Sequence, residues 1–146
     1  MSALVDTNVL LRRTQPDHAH HVLALESVAK LFRAGETLHF TPQNIAEFWN
    51  VATRPVENNG LGFSTMLAAR EVEKIERLLV LLPDTPAIYP EWKRLIAKHN
   101  VRGVKAHDAR LVAAMNVHAV PRILTFNGDD FARFGVQPVH PATILS

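Results

Sequence analysis

Six oxygen-bearing residues fall where a folded chain could gather them. Asp6 closes the apolar run Ala3-Leu4-Val5, and Glu47 lies two turns into a segment opened by Thr41-Pro42. Asp108 heads a segment with Leu111, Val112, Met115 and Ala119 at helical spacing, and Asn127, Asp129 and Asp130 follow Arg122 to Phe126. Each has an ordinary structural reading. Asp6 or Thr7 can cap the next helix. Glu47 lies away from the Ile45, Phe48, Trp49 and Ala52 stripe, so periodicity alone reads it as solvated. Asn127 can precede a helix whose first turn carries Asp130, which leaves Asp129 and Asp130 as alternatives for one role. Asp108 favours a site over a cap, because its carboxylate is in line with residues that should face inward, and a buried acid needs a partner. Brought together, such acids repel: two unit charges 4 Å apart cost about 4 kcal/mol at an effective dielectric of 20. A divalent cation reverses that sign. With no cysteine in the chain, an all-oxygen set points to a hard ion, Mg²⁺ or Mn²⁺.

The elements that would position these residues alternate. Residues 3–5 read as a strand and Val9-Leu10-Leu11 as the start of a helix. Residues 18–32 form an amphipathic helix with Val22, Leu25, Val28, Ala29 and Phe32 on its apolar stripe, stopped by Gly35. A strand follows over 37–41, then a helix capped by Thr41 with Pro42 at its first position, ending at Arg54-Pro55. Asn58-Asn59-Gly60 and Gly62 mark a loop over 56–63. Ser64 caps a helix to about Leu78, a strand covers 79–82, helices cover 87–99 and 106–117, and a strand spans 122–126. A short helix over 129–134 and an extended tail through Val139 complete the pattern. Strands alternating with helices in 146 residues imply one domain over 1–146, a three-layer α/β/α sandwich around a mainly parallel sheet. Ligands in such sheets bind beyond the carboxyl ends of the strands, where the acids fall.

Composition narrows the function classes. A hydrophobic content of 47% with 21% charged residues excludes a disordered chain. The longest apolar run, Leu78 to Leu82, is far short of a membrane span, and Asp6 and Asn8 interrupt any leader-like stretch at the start. Absence of cysteine makes a reducing cytoplasm the expected compartment. The net charge of +2 conceals a distribution: residues 93–110 hold six basic residues against Asp108, a window of +5 that leaves −3 elsewhere. Lys93, Arg94 and Lys98 read as a solvated helix face, whereas Arg102, Lys105 and Arg110 flank Asp108 and suit phosphates. His18, His20 and His21 lack a further ligand nearby and read as an exposed helix start. His107 reads as a helix-start residue as readily as a general base. Trp49 reads as core, and Trp92 could stack on a base.

In these residues the chain resembles PIN-domain proteins, and among them the VapC-type toxins of bacterial toxin–antitoxin pairs. The resemblance covers nearly the whole chain. It rests on Val5-Asp6-Thr7-Asn8-Val9-Leu10-Leu11, Thr41-Pro42 with Glu47, Arg54-Pro55 with Asn59-Gly60-Leu61-Gly62, His107-Asp108-Ala109-Arg110-Leu111, and Leu124-Thr125-Phe126-Asn127 with Asp130-Phe131. It implies a Mg²⁺- or Mn²⁺-dependent endoribonuclease, often a homodimer, neutralised by a VapB-like antitoxin whose C-terminal segment covers the site. Asp6, Glu47 and Asp108 match the family's first three acids. The fourth departs, because Asn127 stands where many members carry an acid, leaving Asp130, or in second place Asp129, to supply the charge. The implied chemistry is phosphodiester hydrolysis, with Asp6 and Asp108 as chief ligands, Glu47 orienting the water, and Asn127 and Asp130 near a second ion. Two other readings compete. An aspartyl-nucleophile phosphotransferase would usually carry an acid where Asn8 stands, and a non-catalytic PIN domain would bind RNA or a partner without cutting.

Overall fold

The computed structural model describes residues 2–146. Its elements, in chain order, are β1 (Ser2–Val5), α1 (Thr7–Arg12), α2 (His21–Arg33), β2 (Thr37–Phe40), α3 (Pro42–Thr53), α4 (Thr65–Leu78), β3 (Val80–Leu81), α5 (Ile88–Lys98), α6 (Lys105–Val117), β4 (Arg122–Leu124), β5 (Gln137–Val139) and α7 (Pro141–Leu145). Short 3-10 turns occupy 56–58, 128–130 and 132–134. All pairings in the five-stranded sheet are parallel, in the order β3-β2-β1-β4-β5. The chain therefore winds outward from β1 through β2 to β3, then returns to place β4 on the other side of β1. That reversal makes the carboxyl ends of β1 and β4 the switch point of the sheet, where a crevice opens.

Side-chain alternation along the strands feeds two cores. Ala3 and Val5 of β1 and Leu124 of β4 join a buried cluster with Val9, Val28, Phe48 and Ile75. Leu4 and Ile123 point the other way, into a cluster with Leu95, Val112 and Met115. Both faces of the sheet are thus covered, which is why its central strands read as continuous apolar runs rather than as alternation. Helix α5 tolerates Pro90 because the proline is its third residue, where no intrahelical N–H bond is lost. No helix among the described residues is long and apolar enough to cross a membrane.

Several elements differ from their sequence reading. The edge strand β3 is two residues long, with Val80 and Leu81 exposed and Leu79 and Leu82 buried on either side. The apolar run marked a strand, but its position at the sheet edge turned the middle outward. Helix α2 starts at His21 and turns Ala24, Ser27 and Val28 inward, while Val22, Leu25 and Phe32 of the expected stripe stay exposed. The segment 129–134 makes two 3-10 turns rather than a helix, and the extended tail pairs as β5. Helix α7, capped by His140 with Pro141 at its start, was not read from the sequence. The loop after α3 has a strict requirement: a Cβ on Gly60 would lie 1.9 Å from the carbonyl oxygen of Arg54.

Candidate active site

Strand pairing continues past the last residues of β1 and β4 and fixes the first acid. The Asp6 N–H donates to the Leu124 carbonyl at 2.9 Å, and the Thr125 N–H donates to Val139 at 2.9 Å. Asp6 then occupies the cap position of α1 in extended backbone, with Oδ1 accepting from the Thr7 N–H at 2.8 Å. Its Oδ2 accepts from the Thr125 hydroxyl at 2.8 Å. The capping reading of this residue is thus observed, and the same carboxylate lies at the carboxyl end of β1. At 8% exposure, its carboxyl is pushed up to about 7, chiefly by burial. The Thr125 and Thr7 hydrogen bonds partly oppose that rise, and the charges of Glu47 and Asp108 add to it.

Glu47 reaches the same place from α3. Thr41 caps that helix through a reciprocal capping box with Asn44. Asn44 is fully buried and donates from Nδ2 to Thr7 Oγ1 at 3.0 Å. The Thr7 hydroxyl in turn donates to Glu47 Oε1 at 2.7 Å, and Gln43 Nε2 donates to Glu47 Oε2 at 3.1 Å. A residue that periodicity assigns to solvent is therefore half-buried and held at both carboxylate oxygens. Sequence reasoning missed Thr7, Gln43, Asn44 and Thr125 as positioning residues. The one available signal was that Asn44 and Glu47 share a helix flank.

Asp108 lies in the first turn of α6, half-buried, and its carboxyl is raised by desolvation and by the charge of Asp130, with Lys105 opposing. Asp130 is the acid of its pair that turns toward the site. Lys105 Nζ donates to Asp130 Oδ1 and lies 3.9 Å from Asp108 Oδ2, whereas Asp129 is exposed and makes no such contact. Asn127 sits at the cap position of the 128–130 turn without a side-chain cap bond, and its N–H donates to Thr125 Oγ1 at 3.0 Å. A cavity of about 530 Å³ opens there, lined by Thr125, Asn127, Asp129, Asp130 and His140 among others.

Of the three expected phosphate-binding residues, Arg102 is exposed and makes no hydrogen bond or ion pair among the described residues. Lys105 is engaged with the acids. Arg110 donates to Gln43 Oε1 at 3.1 Å and to Asp84 Oδ1 at 3.3 Å. The histidines of the 18–21 segment are engaged separately: His18 accepts from the His20 N–H, His20 stacks on Phe126 with centroids 4.3 Å apart, and His21 bonds Arg12.

Among the described residues, no group of three or more His, Asp or Glu side chains is arranged to hold a metal ion as it stands. The Lys105 ammonium instead supplies positive charge between Asp108 and Asp130. The donor set still has the chemistry of a hard-cation site. It offers carboxylate and amide oxygens only, and burial, with a smaller addition from neighbouring negative charge, raises two of its acids.

A PIN domain model matches residues 3–137. The chain belongs to the PIN domain family. No curated protein matches it in sequence. Solved structures that share the fold include VapC20 of Mycobacterium tuberculosis, described as a sarcin-ricin loop cleaving toxin, with TM-score 0.66 and 16% identity over 90% of this chain and 94% of that one. VapBC2 of Rickettsia felis, bound to a promoter DNA fragment, superposes with TM-score 0.70 at 11% identity over 96% and 98% of the two chains. FitAcB of Neisseria gonorrhoeae gives 0.61 at 21% identity over 97% and 99%.

Proposed function

We propose that this PIN domain is an endoribonuclease that depends on Mg²⁺ or Mn²⁺ and acts as the toxin of a toxin–antitoxin pair. The observation that carries the reading is the approach of Asp6, Glu47, Asp108 and Asp130 at the switch point of the sheet, close enough that their charges act on one another. When bound, a divalent cation acidifies a water and neutralises charge on the phosphate. Asp6 and Asp108 would hold it, and Asn127 and Asp130 would serve a second ion. Glu47, fixed by Thr7 and Gln43, accepts the proton of the attacking water. Thr125 holds Asp6 in place. Arg102 meets backbone phosphates, and Lys105, where a bound cation took over the charge of Asp108 and Asp130, would be available to pair with a phosphate oxygen.

Partners follow from the surface. The neighbours solved as VapBC and FitAB complexes support a VapB-like antitoxin. Exposed Val22, Leu25 and Phe32 on α2, with Met66 and Leu67 on α4, offer apolar area for a protein partner. A homodimer working in the cytoplasm completes the proposal. One observation favours a second reading, a non-catalytic PIN domain that binds RNA: Lys105 already satisfies Asp130, and Asn127 brings no charge. Incubating the protein with structured RNAs, with and without Mg²⁺ or Mn²⁺, separates the two. Cleavage that needs the ion supports the nuclease, and salt-sensitive binding without cleavage supports the second reading.

A further inference from the structure

A second cavity, of about 300 Å³, lies between α5 and the start of α6, lined by Thr85, Ile88, Tyr89, Trp92 and Arg110. That volume is at the low end of the roughly 300–1,000 Å³ typical of small-molecule sites. Its walls suit one flat aromatic group. Tyr89 and Trp92 are three residues apart on α5 and so share a flank, with ring centroids 6.2 Å apart and planes inclined by 31°. Trp92 is anchored, its indole N–H donating to the Ala106 carbonyl at 2.8 Å, while Tyr89 is 64% exposed. An anchored ring beside an exposed one forms a stacking surface that loses little side-chain freedom on binding.

The polar groups at this cavity point the same way. Thr85 Oγ1 is buried and has no hydrogen-bond partner among the described residues, which is costly unless something pairs with it. The Arg110 guanidinium is held by Gln43 and Asp84, so its remaining N–H groups are fixed in direction. Asp84 offsets much of its charge, which disfavours a phosphate here and favours a neutral ring with hydrogen-bonding edges. Gln43 also holds Glu47 at 3.1 Å. A single side chain therefore separates this cavity from the group that accepts the proton in the proposed reaction.

Resting on the RNA reading above, we propose that the cavity is a nucleobase subsite, which takes an unstacked base of a nucleotide next to the scissile phosphate. Single-stranded RNA is recognised in this manner, with splayed bases stacked on aromatic rings and arginine planes and hydrogen-bonded at their edges. The Thr85 hydroxyl reads an edge of that base.

The test measures binding apart from cleavage. In the full chain carrying Asp6→Asn, anisotropy titrations use a labelled single-stranded RNA and a series of the same RNA with one abasic nucleotide moved along it. One abasic position should weaken binding about tenfold or more. Tyr89→Ala should weaken the intact RNA by a similar factor and lose sensitivity to that position alone. Thr85→Val, which keeps the shape and removes the hydroxyl, should change the preference among the four bases there. Equal affinity for every abasic RNA, undiminished binding by Tyr89→Ala, or no binding at all overturns the subsite. So does a Tyr89→Ala effect confined to self-association in sedimentation, which would make the cavity a contact between copies. Failure of the wild type to cleave while the abasic pattern holds rejects the nuclease reading and leaves the subsite standing.

Discussion

At the residue scale, Asp6 carries most of the consequences. Its carboxyl is raised to about 7 in the folded protein from an ordinary 3.8. Between those values the folded state binds more protons than the unfolded chain, so stability from this group is complete below pH 4 and is lost as pH rises through 7. The shift corresponds to a loss on the order of 4 kcal/mol. Thermal unfolding in chelator should therefore show a Tm that falls from pH 5 to pH 8, and Asp6→Asn should flatten that slope. Added Mn²⁺ should restore the wild type at pH 8 and leave the variant unchanged. Lys105 gives a second prediction. Its ammonium is the counter-charge for Asp130 and Asp108, so Lys105→Met should lower stability in chelator yet bind Mn²⁺ several-fold more tightly by calorimetry, because no internal cation has to leave. Unchanged Mn²⁺ affinity would show that the lysine does not compete.

At the scale of elements, α3 is a lever whose start holds the acid on its second turn. Thr41 caps the helix and fixes Asn44, which holds Thr7 against Glu47. Thr41→Ala should cost about 1–2 kcal/mol in urea unfolding. Thr7→Val should lower cleavage at least tenfold and also cost about 1–3 kcal/mol in stability, because the buried Asn44 amide loses its acceptor, while Thr7→Ser, which keeps the hydroxyl, should retain most activity and stability. This scale also separates what was legible in the sequence from what was not. Local signals reported themselves: Thr41-Pro42 as a helix start, Ser64 as a cap, and Val5-Asp6-Thr7 as the passage from strand to helix. Contacts that join distant segments did not. Glu47 faces the site because of a bond to a residue 40 positions away, which no helical wheel contains. Asp130 is distinguished from Asp129 by Lys105, 25 residues earlier. The inward face of α2 and the exposed edge at β3 depend on neighbours that periodicity cannot see.

At the scale of the whole molecule, the sheet order does what no single motif could. Reversal of the winding at β1 and β4 brings residues from four parts of the chain to one edge, and two buried clusters hold that edge rigid from both faces. The charge distribution takes on a different meaning there. Part of the basic window is engaged by acids, with Lys105 bound to Asp130 and Arg110 to Asp84, and Arg102 makes no ion pair among the described residues. RNA affinity should accordingly depend on salt with a modest slope, and Arg102→Gln should reduce that slope by about one counterion. The central claim, that the gathered acids serve metal-dependent cleavage, is tested most directly by one comparison. Wild type and Asp6→Asn are incubated with structured RNAs in Mn²⁺ and in chelator, with folding verified by circular dichroism. The account predicts cleavage by the wild type in Mn²⁺ alone and none by the variant; cleavage that survives both chelator and substitution, or its absence in every condition, would contradict it.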